Sequence, residues 1–357
     1  MVKGLEECIE SMRQYLEEGL NRKNSQVEEH IEEEKPYYED LDPKKLYIFT
    51  PTKPSSKILA VDVSTYTILP GVCWRIKVAR VAYILLDCRS GEIRLAEEGY
   101  EDYVFTVKAR STGEIEKSIN FQVWEKLRNL ESRMILDKIK MLDEDDICLL
   151  DGAAYFTTKD SAGKDYSPHA FYPREIYDEC KNLGVRLIAI PKHVKHFDGK
   201  GREFRSVVFS YANKVKPKTR WFYYPLNHPS KERTPTFLAK SCWARFSPEA
   251  LRIFRCDIAD YLVENFEVKG ILKTISELSY LCDDARCYGY PAPLYFAHER
   301  TRIPEARLLE VEETVFSKLK KEGILDQLLC EAEISHFRAK QLLNIFHYYQ
   351  IFEMYEV

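Results

Sequence analysis

Two short apolar segments, each followed directly by an aspartate, are the clearest pattern along the chain. The first covers residues 58–61 and leads into Asp62, and the second covers residues 147–150 and leads into Asp151. Apolar runs of this length are typical of strands buried inside a sheet. We therefore predict two buried strands, each ending in a carboxylate that is held rigidly but can still reach solvent and a cation.

Elsewhere the apolar pattern predicts an α/β fold, because helical and strand periodicities alternate along the chain. Further strands are predicted at residues 74–87, 92–96, 103–109, 185–191, 205–212, 219–224 and 236–246, with a turn at residues 67–71. Helices are predicted at residues 4–20, 115–142, 173–183, 248–265 and 269–281 and over most of 303–357. Gly184 suits the C-terminal cap of the third helix.

The predicted long helix carries a third candidate carboxylate, Glu131. Glu125 is the alternative, and the two lie on different helix faces, so only one of them can point at a given site. If the strands of Asp62 and Asp151 are neighbours and the helix packs on them, three acids converge. The alternative, non-catalytic roles are a turn cap for Asp62, a hairpin turn at Asp151 and a solvated helix position for Glu131.

Converging acids of this kind predict a site for Mn²⁺ or Mg²⁺, since hard cations prefer oxygen ligands. Two such ions about 3.5–4 Å apart can activate water and stabilise the leaving oxygen of a phosphodiester. A strand carboxylate, a helix carboxylate and a second strand carboxylate, in this order, form the ribonuclease H-like arrangement. The predicted fold is therefore an RNase H-like mixed sheet flanked by helices.

The charge distribution adds a second prediction. The net charge of −4 over 357 residues conceals a basic segment, residues 192–255, with 15 Lys and Arg against 4 Asp and Glu. That segment carries +11 and the remainder −15, which favours a polyanion-binding surface on an acidic body. Ten irregularly spaced cysteines, no signal-peptide pattern in residues 1–19 and no long apolar run predict a reduced, cytoplasmic protein without a membrane partner.

Within the basic segment, lysines lead directly into aromatic residues, a composition typical of a single-stranded DNA track. The residues expected to contact DNA are Lys192, Lys195, Lys214, Lys216, Lys218, Arg220 and Trp221. The alternatives are that the aromatics belong to the core and that the lysines are merely solvated. No P-loop motif is present, so ATP-driven translocation would come from a partner.

The order AVD-x-S, helical Glu, LLDG and YGYP-x-P-L-x-x-AH, over residues 58–298, resembles the NurA family of nucleases. This resemblance implies Mn²⁺- or Mg²⁺-dependent DNA cleavage, of 5′–3′ exonuclease and single-strand endonuclease type, in double-strand break end resection. It also implies a homodimer that acts on single- and double-stranded DNA ends with a HerA-type hexameric ATPase. The residues implied to be catalytic are Asp62, Glu131, Asp151, Tyr290 and His298, the first three as metal ligands.

Some features keep other interpretations open. Val63 stands where the family has glycine, Tyr288 could reach the space of Tyr290, and a lone histidine such as His298 can be purely structural. The main alternative function is a non-catalytic nucleic-acid-binding subunit on an RNase H-like fold. A more remote alternative is an RNA-cleaving or RNA-guided enzyme. The predicted organisation is an N-terminal helix and acidic linker (1–45), a nuclease core (46–302) with its basic insertion, and a C-terminal helical segment (303–357).

Overall fold

A computed structural model describes residues 2–18, 37–109, 115–159, 165–166, 171–191, 196–226 and 236–332. Its helices are α1 (Leu5–Glu18), α2 (Ile115–Lys138), α3 (Arg174–Leu183), α4 (Phe204–Val215), α5 (Asp260–Tyr280), α6 (Ala292–Arg300), α7 (Glu305–Lys321) and α8 (Leu325–Glu331). Its strands are β1 (Tyr37–Tyr38), β2 (Leu46–Ile48), β3 (Lys57–Pro70), β4 (Trp74–Asp87), β5 (Arg94–Lys108), β6 (Ile147–Leu150), β7 (Tyr155–Phe156), β8 (Thr158–Lys159), β9 (Asp165–Tyr166), β10 (Arg186–Ala189), β11 (His196–Phe197), β12 (Trp221–Tyr223), β13 (Thr236–Phe237), β14 (Ala239–Arg245) and β15 (Phe254–Ala259). Short 3₁₀ helices cover Pro43–Lys45 and Ile139–Met141.

Nine of these strands form one sheet in the order β2-β12-β14-β15-β10-β6-β3-β4-β5. β6 runs parallel to both β3 and β10, and the other neighbouring pairs are antiparallel. The antiparallel meander β3-β4-β5, followed by α2 and then by the parallel strand β6, confirms the predicted RNase H-like mixed sheet. The strands β12 and β14, which come from the basic segment, extend this same sheet.

Helices cover both faces of the sheet because alternate residues of the central strands are apolar on both sides. Ile58 and Ala60 of β3 lie in the cluster that α5 and α6 complete. Leu59 and Val61 lie in the cluster that α2 and α3 complete. Even-numbered residues of this part of β3 therefore face α5 and α6, and odd-numbered residues face α2 and α3. Asp62 is even-numbered and belongs to the first set.

The two ends of the described chain pack together on the far half of the meander. Met12 of α1 and Phe316 of α7 share an apolar cluster with Trp74 and Ile76 of β4. All four side chains are almost completely buried. α1 and α7 therefore cover the part of the sheet that extends beyond the end of β6.

Several predicted elements are confirmed with nearly the predicted bounds. β4 matches the predicted strand, and α2 with the following 3₁₀ turn covers the predicted long helix. Gly184 ends α3 in the left-handed conformation, with φ +69°. A side chain is strained at that φ, which is why glycine serves as the cap.

The predicted ends of two meander strands were wrong. β3 does not stop at Asp62, and residues 67–71 are not a turn, because β3 stays paired with β4 as far as Pro70. The predicted strands 92–96 and 103–109 are parts of one strand, β5, which pairs with β4 along its whole length. Cross-strand pairing to a long partner overrides the local turn signals in both places.

Two further predictions were wrong in type. Residues 205–212 lie in helix α4, where Phe204, Val208 and Ala212 recur every four residues and are fully buried. The predicted helix 248–265 is wrong over residues 254–259, which form β15 and are buried on both faces, so that they show no strand alternation; helix begins only at Asp260, with α5. Over the residues that the structure describes, no helix is long and apolar enough to cross a membrane.

Candidate active site

Asp62 and Asp151 come from adjacent parallel strands. The register pairs Leu59 with Cys148 and Ala60 with Leu149, and continuing it by two residues sets Asp62 beside Asp151. β6 ends at Leu150, whereas β3 continues, so the two aspartates lie where the sheet narrows on the β6 side. The prediction that both strands end at their aspartates was therefore wrong for β3. Only β6 ends there.

His298 joins this pair from α6. Its Nδ1 lies 2.6 Å from Oδ2 of Asp62. The end of α6 is fixed to the same strand, since the Ser64 hydroxyl donates to the Thr301 carbonyl at 2.7 Å. Asp62 is 8% exposed, whereas the His298 side chain is 46% exposed. The imidazole thus connects a buried carboxylate to the surface.

Tyr290 enters the site from a sharp turn before α6. Tyr288 and Gly289 precede it with φ values of +49° and +81°. A Cβ at Gly289 would lie 2.5 Å from the Ala250 Cβ, so this position requires glycine. The turn leaves Tyr288 80% exposed and Tyr290 9% exposed, so of these two tyrosines Tyr290 is the buried one. Burial, followed by the negative charges of Asp151 and of Asp62, raises the pKa of Tyr290 well above its usual value.

Glu131 reaches the site from α2, on the opposite side of the sheet. It is 4% exposed, and it accepts hydrogen bonds from Arg128 Nη1 at 2.7 Å and from the Tyr172 hydroxyl at 3.0 Å. Burial raises the pKa of Glu131 to about 7; Arg128 opposes this shift, and the charges of Asp62 and Asp151 add to it. The three predicted acids therefore lie close enough to act on one another electrostatically, with Glu131 and not Glu125 as the helical member.

Arg128 and Tyr172 were not predicted from the sequence. The Arg128 guanidinium stacks on the Tyr172 ring, 3.9 Å from its centroid. A Cβ at Gly152 would lie 3.1 Å from Arg128 Nη2 and 3.2 Å from the Tyr172 hydroxyl, so the chain after Asp151 packs closely against both groups. Only the spacing of Arg128 three residues before Glu131 was a possible signal, since such pairs meet on a helix.

A buried ion pair supports the loop that follows Asp151, and it too was missed. Arg255 donates to both oxygens of Asp257 at 2.7 Å, and the Ser241 hydroxyl donates to one of them at 2.7 Å. The other oxygen accepts the backbone N–H of Ala154 at 3.2 Å. Because Asp257 has no exposed surface, it fixes this loop to β15.

The donor set fits a divalent cation only in part. Asp62 and Asp151 supply two carboxylates side by side, and Mg²⁺ commonly uses one or two protein carboxylates together with water and phosphate oxygens. Across the described ranges, however, no three His, Cys, Asp or Glu side chains are arranged around a single point that could hold an ion. The two oxygens of Glu131 accept hydrogen bonds from Arg128 and Tyr172.

The expected DNA-contacting residues separate into four groups: exposed lysines, Arg220, Trp221 and two lysines outside the described residues. Lys214, Lys216 and Lys218 are exposed, near the end of α4. Arg220 donates to the Phe246 carbonyl at 2.9 Å and to Asp283. β12, to which these residues lead, lies four strands from β6, about 19 Å at the usual strand spacing.

Trp221 does not fit the expected stacking role, because its side chain is fully buried in β12. Its neighbours Phe222 and Tyr223 are equally buried, so the aromatic residues belong to the core while the lysines face outward. Lys192 and Lys195 lie outside the described residues.

No family model and no curated protein sequence matches the chain. Among solved structures, the NurA nuclease from Sulfolobus solfataricus is similar at 15% identity and a TM-score of 0.48, over 77% of this chain and 87% of that one. The catalytic domain of human endonuclease V is similar at 11% identity and a TM-score of 0.39, over 78% and 92%. Ciona intestinalis endonuclease V, in complex with an inosine-containing DNA, is similar at 15% identity and a TM-score of 0.35, over 71% and 90%. None of these TM-scores reaches 0.5.

Proposed function

We propose that this chain is a divalent-metal-dependent deoxyribonuclease. The observation that carries the proposal is the placement of Asp62 beside Asp151 on parallel strands, with His298 hydrogen-bonded to Asp62. Two adjacent carboxylates under a partly exposed imidazole suit metal-assisted hydrolysis of a phosphodiester, in which a bound cation acts together with a proton donor or acceptor.

Asp62 and Asp151 would hold Mn²⁺ or Mg²⁺, with Glu131 next to them. The bound cation supplies Lewis acidity and charge stabilisation for attack of water on phosphorus. Because Nδ1 of His298 faces Asp62, Nε2 is the ring nitrogen that can exchange a proton with the water or the leaving oxygen. The Asp62 carboxylate orients the ring and selects this tautomer.

The sequence resemblance to NurA extends the proposal to a biological setting. We propose 5′–3′ exonuclease and single-strand endonuclease activity in double-strand break end resection. The partners would be a second copy of the chain and a HerA-type hexameric ATPase. The exposed lysines at and after the end of α4 support binding of a polyanion, since three positive charges lie within five residues there.

Cleavage of end-labelled single- and double-stranded DNA in the presence of Mn²⁺ tests the proposal. The wild-type protein should shorten or cut the DNA, and Asp62→Ala should bind DNA but leave it intact. Asp137→Ala is the matched control, because Asp137 is an exposed acid on α2 and its loss changes the net charge equally. Binding without cleavage by the wild-type protein would instead establish the non-catalytic subunit. An RNA substrate of the same sequence tests the RNA-cleaving alternative.

A further inference from the structure

Arg128 is a nearly buried cation inside the cluster of acids. Its side chain is 10% exposed, and Nη1 donates to one oxygen of Glu131 at 2.7 Å. The other oxygen of Glu131 accepts from the Tyr172 hydroxyl at 3.0 Å. Both oxygens of the carboxylate are thus already engaged by groups of the protein itself.

The guanidinium has little room to withdraw from Glu131. On one side it stacks on the ring of Tyr172, which is 1% exposed. On the other side it lies against the backbone of Gly152, where even one added carbon would sit 3.1 Å from Nη2. The same tight contact keeps the positive charge next to Asp151, whose charge favours the protonated guanidinium.

The charges of the cluster then match a single divalent ion. Asp62, Asp151 and Glu131 carry three negative charges when ionised, and Arg128 carries one positive charge, since arginine is not deprotonated in proteins. Two net negative charges balance one Mn²⁺ or Mg²⁺. A second divalent ion would leave an excess of positive charge at a buried site, which is unfavourable until a phosphate supplies negative charge.

We propose that Arg128 and Tyr172 hold Glu131 away from the metal site in the DNA-free protein, so that each chain binds one divalent cation, through Asp62 and Asp151. A second cation binds only when Glu131 leaves Arg128, which the negative charge of bound DNA promotes. Arg128 is thus a positioning residue that controls the metal stoichiometry. This inference rests on the proposed metal-dependent nuclease and specifies the state of its site before DNA binds.

Titration of the DNA-free protein with MnCl₂, followed by the electron paramagnetic resonance signal of free Mn²⁺, tests the proposal. The wild-type protein should bind one Mn²⁺ per chain. Arg128→Gln removes the positive charge and should bind two, whereas Arg128→Lys keeps the charge and should bind one. A wild-type stoichiometry of two, or an unchanged stoichiometry of one in Arg128→Gln, would overturn the proposal.

Tyr172→Phe provides a second test that does not remove a buried charge. It deletes only the hydroxyl that donates to Glu131 and keeps the ring on which Arg128 stacks. The variant should bind a second Mn²⁺ at least ten times more tightly than the wild-type protein does, and equal affinities would contradict the proposal. Thermal unfolding identifies any variant that fails to fold. If Arg128→Gln fails to fold, the result for Tyr172→Phe tests the proposal alone.

The same titration separates this inference from the proposed function. Asp62→Asn should lose the single site of the wild-type protein. If neither protein binds Mn²⁺, the metal-dependent nuclease itself is wrong. If the wild-type protein binds two ions and Asp62→Asn loses them, the nuclease proposal stands and only the role of Arg128 is wrong.

Discussion

Nδ1 of His298 lies 2.6 Å from Oδ2 of Asp62, although 236 positions separate the two residues along the chain. The contact forms because α6 packs directly on β3 and β4. It gives the imidazole a fixed orientation and a defined tautomer.

Replacement of His298 by alanine should therefore remove proton transfer while sparing DNA binding. We expect kcat to fall by roughly 10²–10⁴-fold, the usual contribution of a positioned acid or base. DNA affinity, measured in Ca²⁺ to prevent turnover, should stay within about twofold. Glu299→Gln, at the next position of α6, is the control and should retain its rate. A normal rate in His298→Ala would exclude the proposed role.

The two aspartates should behave as one unit. Asp62→Asn and Asp151→Asn should each reduce cleavage to the background rate, and the double variant should be no slower than either single variant. Groups that act together lose their whole contribution when one is removed, so their effects are not additive. Rates of the three variants on the same labelled DNA give the measurement. Additive losses would mean that the aspartates act at separate sites.

The stability of the metal-free protein should depend on pH through Glu131. Its pKa is raised from 4.5 to about 7, so the native state binds more protons than the unfolded state between these values. The contribution of Glu131 to the free energy of unfolding is therefore largest below pH 4.5 and is lost as the pH rises to 7, by about 3 kcal/mol.

Glu131→Gln removes this titration. The stability of the wild-type protein minus that of the variant, from urea unfolding at several pH values with a chelator present, should fall across this window. A difference independent of pH would show that Glu131 titrates with an ordinary pKa.

Loss of the carboxylate of Asp257 should destabilise the protein strongly. Asp257→Asn removes the negative charge 2.7 Å from the guanidinium of Arg255, which is 1% exposed, and breaking a buried pair in this way costs about 3–5 kcal/mol. Ser241→Ala removes one hydrogen bond from the same carboxylate and should cost only about 1 kcal/mol. Denaturant unfolding measures both. Equal losses in the two variants would contradict the importance of the ion pair.

The exposed lysines at and after the end of α4 should contribute to DNA affinity without base specificity. Replacing Lys214, Lys216 and Lys218 by glutamine should reduce the slope of log K against log salt concentration by about 2 for single-stranded DNA, since each phosphate contact contributes about 0.7. Lys320 and Lys321 of α7 are exposed lysines at the other end of the chain, and their replacement should leave the slope unchanged. An unaltered slope in the triple variant would place the DNA elsewhere.

Patterns that act locally predicted much of the fold. The continuous apolar run of β4 and the glycine that caps α3 reflect burial and backbone conformation, which a short window of sequence contains. Asp62 and Asp151 were found for the same reason, since each follows or interrupts an apolar strand. Their proximity required only that β3 and β6 be neighbours.

Features that depend on tertiary packing were not predictable in this way. β15 was not predicted because charged residues in a sequence argue against a buried strand, whereas Arg255 and Asp257 neutralise one another inside the sheet. The contact between Arg128 and Tyr172 was not predicted because 44 residues separate them, and only folding brings the ring under the guanidinium. Trp221 was assigned to the surface from its basic neighbours, but β-strand burial on both sides outweighed them.

The continuity of β3 has a consequence for handling the protein. One strand carries Asp62 near its start and, further along, the apolar surface on which α1 and α7 rest. Gly71, directly after this strand, pairs with Ala332 in an isolated bridge. Deleting α1 or α7 would therefore expose apolar residues of the strand that carries Asp62, although neither helix supplies a residue of the site. Packing of the flanking helices and placement of Asp62 thus depend on the same fourteen-residue strand.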